Sequence, residues 1–350
     1  MLKGIKLHDF RNFNELALEF KPGINLITGA NGSGKSSILE SIFYMARGRS
    51  FRAANTSLAI KDETARFTII VNLCNNLLLA SERLRNGKVT HKINGTECSS
   101  LVELSEHLPL LFLDTDSQRW LAAGPKNRRQ TIDWGLFYGR NQEFFQVWKN
   151  FRRSLLQRNA AIKAKVAFST WDKSFIEYSN QINAQRSRYV ADLQTTFDAV
   201  WQQCEVNNQW GQISVNYSKG WQGDLETALK GAAERDIQYG YSNVGPHRSD
   251  LLIKIDNKLA HTHLSQGQQK LLTYAITVAQ AHLYKQDSGT SCLLLLDDLC
   301  AELDLQKRAG IISLLLDGQH QIITTGVVAS EISQILPKNH HHIDLEKKYL

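Results

Sequence analysis

The sequence predicts an α/β protein whose sheet-rich head is interrupted by an inserted helical subdomain. Short apolar strands and turn signals alternate up to about residue 115, whereas aromatic and aliphatic residues recur at helical spacing from about 116 to 235. The strand pattern then returns and includes the apolar run CLLLLDD. Because periods of about 2 and about 3.6 residues distinguish strands from helices, we expect residues 1–115 and 236–350 to form one head and residues 116–235 to form a helical arm.

The composition is that of an ordinary globular chain with a basic excess. Of 350 residues, 42% are hydrophobic and 21% are charged, and the net charge of +7 favours an anionic partner. No window approaches the roughly eighteen apolar residues of a membrane-spanning helix, and the first residues lack the pattern of a secretory signal. A cytoplasmic protein is therefore expected.

The stretch GANGSGKSS predicts a phosphate-binding loop. It fits the pattern G-x-x-x-x-G-K-[ST] from Gly29 to Ser36, between an apolar strand, INLIT, and a helical stretch, SILESIFYMA. In such a loop, backbone N–H groups face the phosphates, the lysine neutralises the β- and γ-phosphates, and the serine hydroxyl binds Mg²⁺. The alternative is a glycine-rich turn without a ligand. The predicted site for ATP and Mg²⁺ contains Gly29, Ala30, Asn31, Gly32, Ser33, Gly34, Lys35, Ser36 and Ser37.

Two adjacent acids at the end of CLLLLDD predict the second part of this site. Ligands of α/β sheets bind at the carboxyl ends of the strands, which is where these acids stand. We expect Asp297 to hold the Mg²⁺ shell with Ser36. Asp298 is expected to orient or deprotonate the attacking water, as a catalytic residue beside Lys35. Taken alone, the acid pair would instead be a turn that ends the strand.

A second helix start with anion-binding character follows in the stretch LSQGQQKLL. Ser265 and Gly267 open this helix, with Gln268 in its first turn, so another phosphate contact is expected there. If the two sites lie far apart on one chain, they cannot grip the same γ-phosphate. A head-to-tail dimer, with ATP between the Lys35 loop of one copy and the Ser265 helix of the other, resolves this conflict. The alternative is an ordinary serine N-cap.

Positive charge is concentrated between Lys126 and Lys165, where ten Lys or Arg residues accompany two acids. This excess predicts contacts with DNA phosphates that depend on salt and not on base sequence. A solvated helix surface is the alternative. The predicted DNA-binding residues are Lys126, Arg128, Arg129, Lys149, Arg152 and Arg153. The turn VGPHRSDL adds the basic pair His247 and Arg248, which could sense either the phosphate or the DNA.

The order of these motifs resembles that of the ATP-binding cassette superfamily, with LSQGQ as the signature and the residues ELD, at 302–304, as the dimer-facing loop. Within that superfamily the chain is similar to the RecF family of bacterial recombination mediators. The segments that carry this resemblance are FRNF, GANGSGKSSILESI, GRSFR, AGPKNRRQTIDW, LLQRNAAIK, VGPHRSDL, LSQGQQKLL and LLLLDDLCAELD.

The resemblance implies an ABC-type P-loop ATPase head with a helical arm, in which Arg11 and Asn12 lie near the base or ribose of ATP. It also implies an ATP-dependent homodimer on single-stranded or gapped DNA that acts with RecR and RecO to load RecA. A part in replication-fork repair and SOS induction, and association with the nucleoid, belong to the same implication. A weak, DNA-stimulated ATPase that acts as a switch, without chemistry on DNA, is expected.

Some positions depart from the family pattern. Ala301 stands where the dimer-facing loop usually begins with serine, and Thr324 and Thr325 stand where transporter cassettes carry a switch histidine, so slow hydrolysis is expected. The alternative function, the ATPase subunit of a membrane transporter, is opposed by the basic helical insert and by the FRNF and GPHR segments. The histidines at 340–342 are expected to lie in a polar surface tail and not in a metal site.

Overall fold

The structure, a computed structural model, describes residues 1–139, 143–204, 210–298, 305–327 and 336–346. For residues 305–309 and 317 it describes the backbone alone. The chain divides into two compact units: the first comprises Met1–Ser117 and Thr290–Leu350, and the second comprises Gln118–Gly289.

The first unit contains two sheets and three helices among its described residues. The antiparallel strands are β1 (Leu2–Phe10), β2 (Phe13–Glu19), β4 (Arg66–Leu73), β5 (Leu78–Leu84), β6 (Val89–Ile93) and β7 (Thr96–Glu97). The parallel strands are β3 (Ile24–Thr28), β8 (Leu110–Leu113), β12 (Leu293–Leu296), β13 (Gln321–Gly326) and β14 (His341–Asp344). The helices are α1 (Lys35–Arg47), α2 (Leu101–Ser105) and α9 (Leu305–Asp317).

The antiparallel sheet has one face on the core, as its sequence alternation requires. In β4 the side chains of Phe67, Ile69 and Val71 are buried, and the residues between them are half-exposed. The strand order is β2-β1-β4-β5-β6-β7. The last hairpin turns at Asn94 and Gly95, whose φ values of 49° and 84° are the positive angles that an Asn-Gly hairpin turn needs.

The parallel sheet, in the order β14-β3-β13-β12-β8, places several strand ends at one edge. Strands β3, β12 and β13 are buried along their whole length, which is typical of parallel strands covered on both faces. Helix α1 contacts β1 and β4 of one sheet and β8 and β13 of the other, and its middle residues are almost all buried. The loop between β3 and α1 therefore starts at the carboxyl edge of this sheet.

The second unit is mainly helical. Its helices are α3 (Pro125–Tyr138), α4 (Phe144–Lys163), α5 (Asp172–Gln202), α6 (Leu225–Tyr239), α7 (Ala260–His263) and α8 (Gln266–Ser288). A small antiparallel sheet joins β9 (Ile213–Ser218), β10 (Asp250–Ile255) and β11 (Lys258–Leu259). The long helix α5 packs against α4 and α8. The guanidinium of Arg158 is fully buried and lies 2.7 Å from both Asp172 and Asp236.

The observed organisation differs from the expected one at three places. Residues 213–218, within the stretch predicted to be helical, form β9 because they pair with β10. Residues 236–289, predicted to belong to the head, fall in the second unit, since α8 packs on α5. The tail predicted to be a polar surface segment contains β14, which pairs with β3 and buries Ile343.

Candidate nucleotide-binding site

A cavity of about 690 Å³ lies in the first unit, and its wall is formed by residues that follow β3, β12 and β13. This is the edge where α/β sheets bind ligands. The predicted residues that line it are Arg11, Asn12, Asn31, Gly32, Gly34, Lys35, Ser36, Ser37, Asp297 and Asp298. Gly29, Ala30 and Ser33 belong to the same loop between β3 and α1. The structure thus brings the glycine-rich loop, the acid pair and the two middle residues of the FRNF segment to one place.

The glycines give the loop a backbone that other residues would not adopt. Gly32 and Gly34 have φ values of 85° and 99°, in the left-handed region that favours glycine. A Cβ on Gly34 would also collide with the ring of Phe13. Gly34 is the N-cap of α1, and no side chain of the described residues caps this helix. The N–H groups of its first turn are therefore suited to bind an anion such as a phosphate.

The ammonium group of Lys35 lies folded onto its own loop. Its Nζ donates hydrogen bonds to the carbonyl oxygens of Gly29, at 2.7 Å, and Ala30, at 2.8 Å. Burial lowers the pKa of Lys35, and the charges of nearby carboxylates, of which Asp298 has the largest effect, oppose that shift. Two carbonyl contacts are weaker partners for an ammonium than phosphate oxygens, so a bound triphosphate would draw the side chain into the cavity.

Asp297 and Ser36 meet at the sheet edge, as predicted for a magnesium site. Ser36 Oγ donates to Asp297 Oδ1 at 3.1 Å, and Thr325 Oγ1 donates to the same oxygen at 2.7 Å. Mg²⁺ in nucleotide sites takes one or two protein oxygens and completes its shell with water and phosphate. The residues present therefore fit Mg²⁺, with Ser36 and Asp297 as the protein ligands. Thr325, which sequence analysis named only as the replacement of a histidine, fixes the carboxylate.

Asp298 lines the same cavity and is held through its backbone. Its φ of 56° lies in the left-handed region, where a short Asp side chain is tolerated. Its N–H donates to Thr325 Oγ1 at 2.9 Å. The position agrees with a residue that faces the phosphates, and its catalytic role stays a prediction.

A buried carboxylate on α1 orients two arginines at the cavity wall. The side chain of Glu40 is 1% exposed and accepts hydrogen bonds from both Nε, at 2.8 Å, and Nη2 of Arg11. Nη1 of Arg52 lies 3.8 Å from the same carboxylate and 3.2 Å from Ser37 Oγ. Neither Glu40 nor Arg52 was among the predicted site residues. The available signals were the segment GRSFR for Arg52 and the segment GANGSGKSSILESI for Glu40, because both segments carried the family resemblance without a role for these two residues.

Strand β14 and the residues directly after it supply two further contacts to the loop region. Glu346 Oε1 accepts a hydrogen bond from the N–H of Ala30 at 2.7 Å. His342 Nε2 shares a hydrogen bond of 2.7 Å with Oγ1 of Thr28, the last residue of β3. These partners are 316 and 314 positions apart along the chain, so no local pattern could have predicted them.

The signature helix α8, in the second unit, starts at Ser265 as predicted. Ser265 Oγ accepts from the N–H of Gln268 at 3.3 Å, and Gln268 Oε1 accepts from the N–H of Ser265 at 2.9 Å. This reciprocal pair is a capping box, and Gly267 lies in the turn that it closes. A hydroxyl that accepts one hydrogen bond keeps its own proton to donate, so the cap and the phosphate contact are compatible. The phosphate contact of these three residues stays a prediction.

The six residues predicted to contact DNA fall into two groups. Lys126, Lys149, Arg152 and Arg153 are exposed and make no salt bridge with a described acid. The guanidinium of Arg152 lies 5.1 Å from the centre of the Trp148 ring, a cation–π contact that leaves the charge unpaired by a described acid.

Arg128 and Arg129 have partners inside the second unit. Arg128 donates to both carboxylate oxygens of Asp250, at 2.8 and 2.7 Å, and both side chains are mostly buried. Arg129 donates to the backbone carbonyl of Ser249. These contacts join α3 to Ser249 and to Asp250, the first residue of β10, and the DNA contact of the two arginines stays a prediction.

Ala301 and the dimer-facing residues 302–304 lie outside the described residues. Of the helices in the described ranges, none has both the length and the apolar character needed to cross a membrane.

Comparisons with known proteins agree on one family. The model described as RecF/RecN/SMC N terminal domain matches residues 1–341. A relative from Coxiella burnetii, the DNA replication and repair protein RecF, is 37% identical over 337 residues, or 94% of this chain and 93% of the relative.

The solved structure of the recombination mediator protein RecF-ATPrS in the RecFOR pathway matches with a TM-score of 0.82 and 25% identity, over 95% of this chain and 93% of that one. An Smc head bound to the C-winged helix domain of ScpA shares the fold alone, with a TM-score of 0.57 and 16% identity over 95% of this chain and 91% of that one. These matches confirm the predicted ABC-type head fold, and the chain belongs to the RecF family.

Proposed function

We propose that this chain is an ATP-dependent DNA-binding protein of recombinational repair, in which ATP closes a head-to-tail dimer on DNA and hydrolysis opens it. The observation that carries the proposal is the convergence of Lys35, Ser36 and Asp297 on one cavity at the start of α1. The relatives are named for DNA replication and repair and for a recombination mediator with ATPrS, which supports the same class of function.

In the nucleotide site, bound ATP with Mg²⁺ would supply the phosphoanhydride bond that hydrolysis breaks. The N–H groups at the start of α1 bind the phosphates, and Lys35 leaves its loop carbonyls to neutralise them. Asp298 orients the attacking water or accepts its proton. Arg11 and Asn12 contact the base or ribose, and Glu40 holds the Arg11 guanidinium in place for that contact.

The proposed dimer divides the phosphate contacts between the two units of the chain. Every described residue that lines the cavity belongs to the first unit, whereas Ser265, Gly267 and Gln268 belong to the second. We propose that these three residues of one copy contact the γ-phosphate held by the other copy, so that each dimer closes over two ATP molecules. Loss of the γ-phosphate then removes the contact that joins the copies.

The DNA contact is assigned to four exposed basic residues: Lys126 on α3, and Lys149, Arg152 and Arg153, which share one face of α4. Exposed cations without acid partners are free to replace the counterions of a DNA backbone. Such contacts do not distinguish base sequences, so a preference for gapped or single-stranded DNA has to come from other features.

Membership of the RecF family supports a proposal about the protein partners of this chain. We propose that the chain acts with RecR and RecO to load RecA at single-stranded gaps, and thereby serves fork repair and the SOS response. Hydrolysis is expected to be slow and stimulated by DNA. A transporter ATPase is not favoured, since the relatives are named for DNA replication and repair.

The test is gapped-DNA binding as a function of salt. Reversal of both Arg152 and Arg153 to Glu should weaken DNA binding about tenfold or more at moderate salt. It should also lower the slope of log affinity against log salt concentration by about 2, because each lost phosphate contact removes about 0.9 from that slope. The matched control reverses Lys88 and Lys92, two exposed lysines of the first unit, to Glu. Equal losses in both double variants would contradict the assigned face and leave only a general charge effect.

A further inference from the structure

Two tyrosines at the end of α6 are the only aromatic side chains, among the residues that the structure describes, that are exposed. Tyr239 is 56% exposed and Tyr241 is 41% exposed. Their ring centroids lie 6.0 Å apart with an angle of 26° between the planes. The guanidinium of Arg248 lies 5.1 Å from the centre of the Tyr241 ring. Three planar groups thus form a ladder at the surface.

The end of α6 holds this ladder in a fixed shape. Gly240, between the two tyrosines, is the C-cap with a φ of 75°, and its N–H donates to the carbonyl of Asp236 at 2.8 Å. The Asp236 carboxylate is completely buried and pairs with the buried Arg158 at 2.7 Å. Because a buried ion pair anchors the turn, the backbone that carries the two rings is fixed, and a ligand would lose little backbone entropy there.

Asn243 ties Arg248 to the same anchor. Its backbone N–H and Nδ2 donate to Asp236 Oδ1 at 2.8 and 3.1 Å, and Nδ2 also donates to the carbonyl of Tyr241 at 3.1 Å. Its Oδ1 accepts from Arg248 Nη2 at 3.3 Å. No described carboxylate makes a salt bridge with Arg248, so its charge remains available beside the ring.

The surroundings of the ladder are basic. A Cβ on Gly240 would lie 3.6 Å from Cγ of Lys163, so this exposed lysine at the end of α4 runs beside the turn between the two rings. Arg235, also exposed, precedes Tyr239 by one helical turn on the same face. His247 adds no charge at neutral pH, because burial lowers its pKa to about 4. The basic pair singled out in the sequence therefore reduces to Arg248.

We propose that Tyr239 and Tyr241 form a platform on which an unpaired base of single-stranded DNA stacks, with Arg248, Lys163 and Arg235 contacting the adjoining phosphates. Stacked aromatic rings beside a positive surface are how proteins bind single strands without sequence preference. Duplex bases are already stacked on one another, so the platform selects the unpaired part of a gap. This inference rests on the proposed DNA binding and names the part of the DNA that is recognised.

A protein partner is the competing occupant of this surface. A docking surface for apolar side chains would use Ile237 as well, which is 50% exposed two residues before Tyr239. The charge of Arg248 in the ladder and the two exposed cations beside it, Lys163 and Arg235, favour the nucleic acid, because they match phosphates and would remain unpaired against an apolar partner.

The test compares the double variant Tyr239→Ala/Tyr241→Ala with Tyr239→Phe/Tyr241→Phe, which keeps the rings, and with Ile237→Ala, which removes apolar area alone. The probes are a single-stranded oligonucleotide that contains 2-aminopurine and a blunt duplex of the same length, at one salt concentration. The alanine pair should weaken single-strand binding at least about fivefold, which corresponds to about 1 kcal/mol for one stacked base, and should abolish aminopurine quenching. The phenylalanine pair and Ile237→Ala should bind the single strand with an affinity within about twofold of that of the parent protein. All variants should bind the duplex within the same range.

The outcomes separate this inference from the proposed function. If the parent protein binds neither probe, the proposed function fails, and the platform fails with it. If the parent binds both probes and the alanine pair leaves single-strand binding and quenching unchanged, only the platform is overturned. Two other outcomes would also overturn the platform. If the alanine pair weakens single-strand and duplex binding equally, the effect is a general one of the surface. If Ile237→Ala weakens single-strand binding as much as the alanine pair does, the surface is a protein contact.

Discussion

Two helix starts in this chain have related sequences, rich in serine and glycine, but satisfy their first N–H groups in different ways. Helix α1 begins after Gly34, and no described side chain caps it. Helix α8 begins after Ser265, which forms a reciprocal capping box with Gln268. A bound anion stabilises an uncapped helix start most, because the first N–H groups have no other partner. A capped start is stable without an anion and can donate only the remaining hydroxyl proton to a ligand. The comparison supports the proposal that α1 holds the phosphates and that α8 of the other copy contacts them.

The largest effect is expected at the uncapped start. Lys35→Met should weaken ATP binding about 100-fold, because a charged hydrogen bond to phosphate contributes up to about 3 kcal/mol. ATP at 100 times its Kd should raise the free energy of unfolding of the parent by about 2.7 kcal/mol, and this gain should nearly vanish in the variant. Fluorescent-nucleotide titration and thermal unfolding with and without ATP measure the two effects.

Lys61→Met is the matched control for that variant, because Lys61 lines the same cavity but lies outside the phosphate loop. It should change ATP binding by less than about fivefold. Equal losses in the two lysine variants would mean that the cavity attracts ATP by its total charge and that the start of α1 has no special part.

A smaller effect is expected at the capped start. Ser265→Asp keeps a good N-cap but places a negative charge where the γ-phosphate of the other copy is proposed to lie. The affinity for ATP should stay within about twofold of the parent's. The affinity of the ATP-induced dimer should fall at least tenfold, because about 1.4 kcal/mol of repulsion between the aspartate and the γ-phosphate corresponds to a factor of ten. Analytical ultracentrifugation measures the dimer, and Ser265→Asn, which caps without charge, should retain most of it. Intact dimers of the aspartate variant would show that Ser265 is only a cap.

The smallest effect is expected for the capping box itself. Gln268→Ala removes the bond to the N–H of Ser265 and should lower the free energy of unfolding by about 0.5–1 kcal/mol, with ATP binding unchanged. Chemical denaturation measures this cost. A loss of ATP affinity in this variant, without dimerisation, would contradict the separation of the two helix starts.

Local spacing allowed the central part of the site to be predicted. The loop from Gly29 to Ser36 and the acid pair after β12 occur where their patterns placed them, because strand, turn and helix signals within a few residues fix such geometry. The start of α8 at Ser265 was predictable for the same reason. These elements carry their information in neighbouring residues.

Contacts between distant residues were not predictable. Charge counting placed Arg128 on the DNA surface, but its partner Asp250 is 122 positions away and cancels its charge. Glu346 reaches the loop only because β14 pairs with β3, and the segment HHID has a single apolar residue to signal a strand. One sequence without its fold contains no sign of either pairing.

The proposal that one ATP is shared by two copies is tested most directly by the mass of the protein in solution. The measurement uses Asp298→Asn, in which hydrolysis should be slow, with saturating ATP and Mg²⁺, with and without gapped DNA. We expect a dimer, at twice the 39.6 kDa of one chain, that reverts to a single copy when ADP replaces ATP. A particle of one chain under every ATP condition would contradict the shared site.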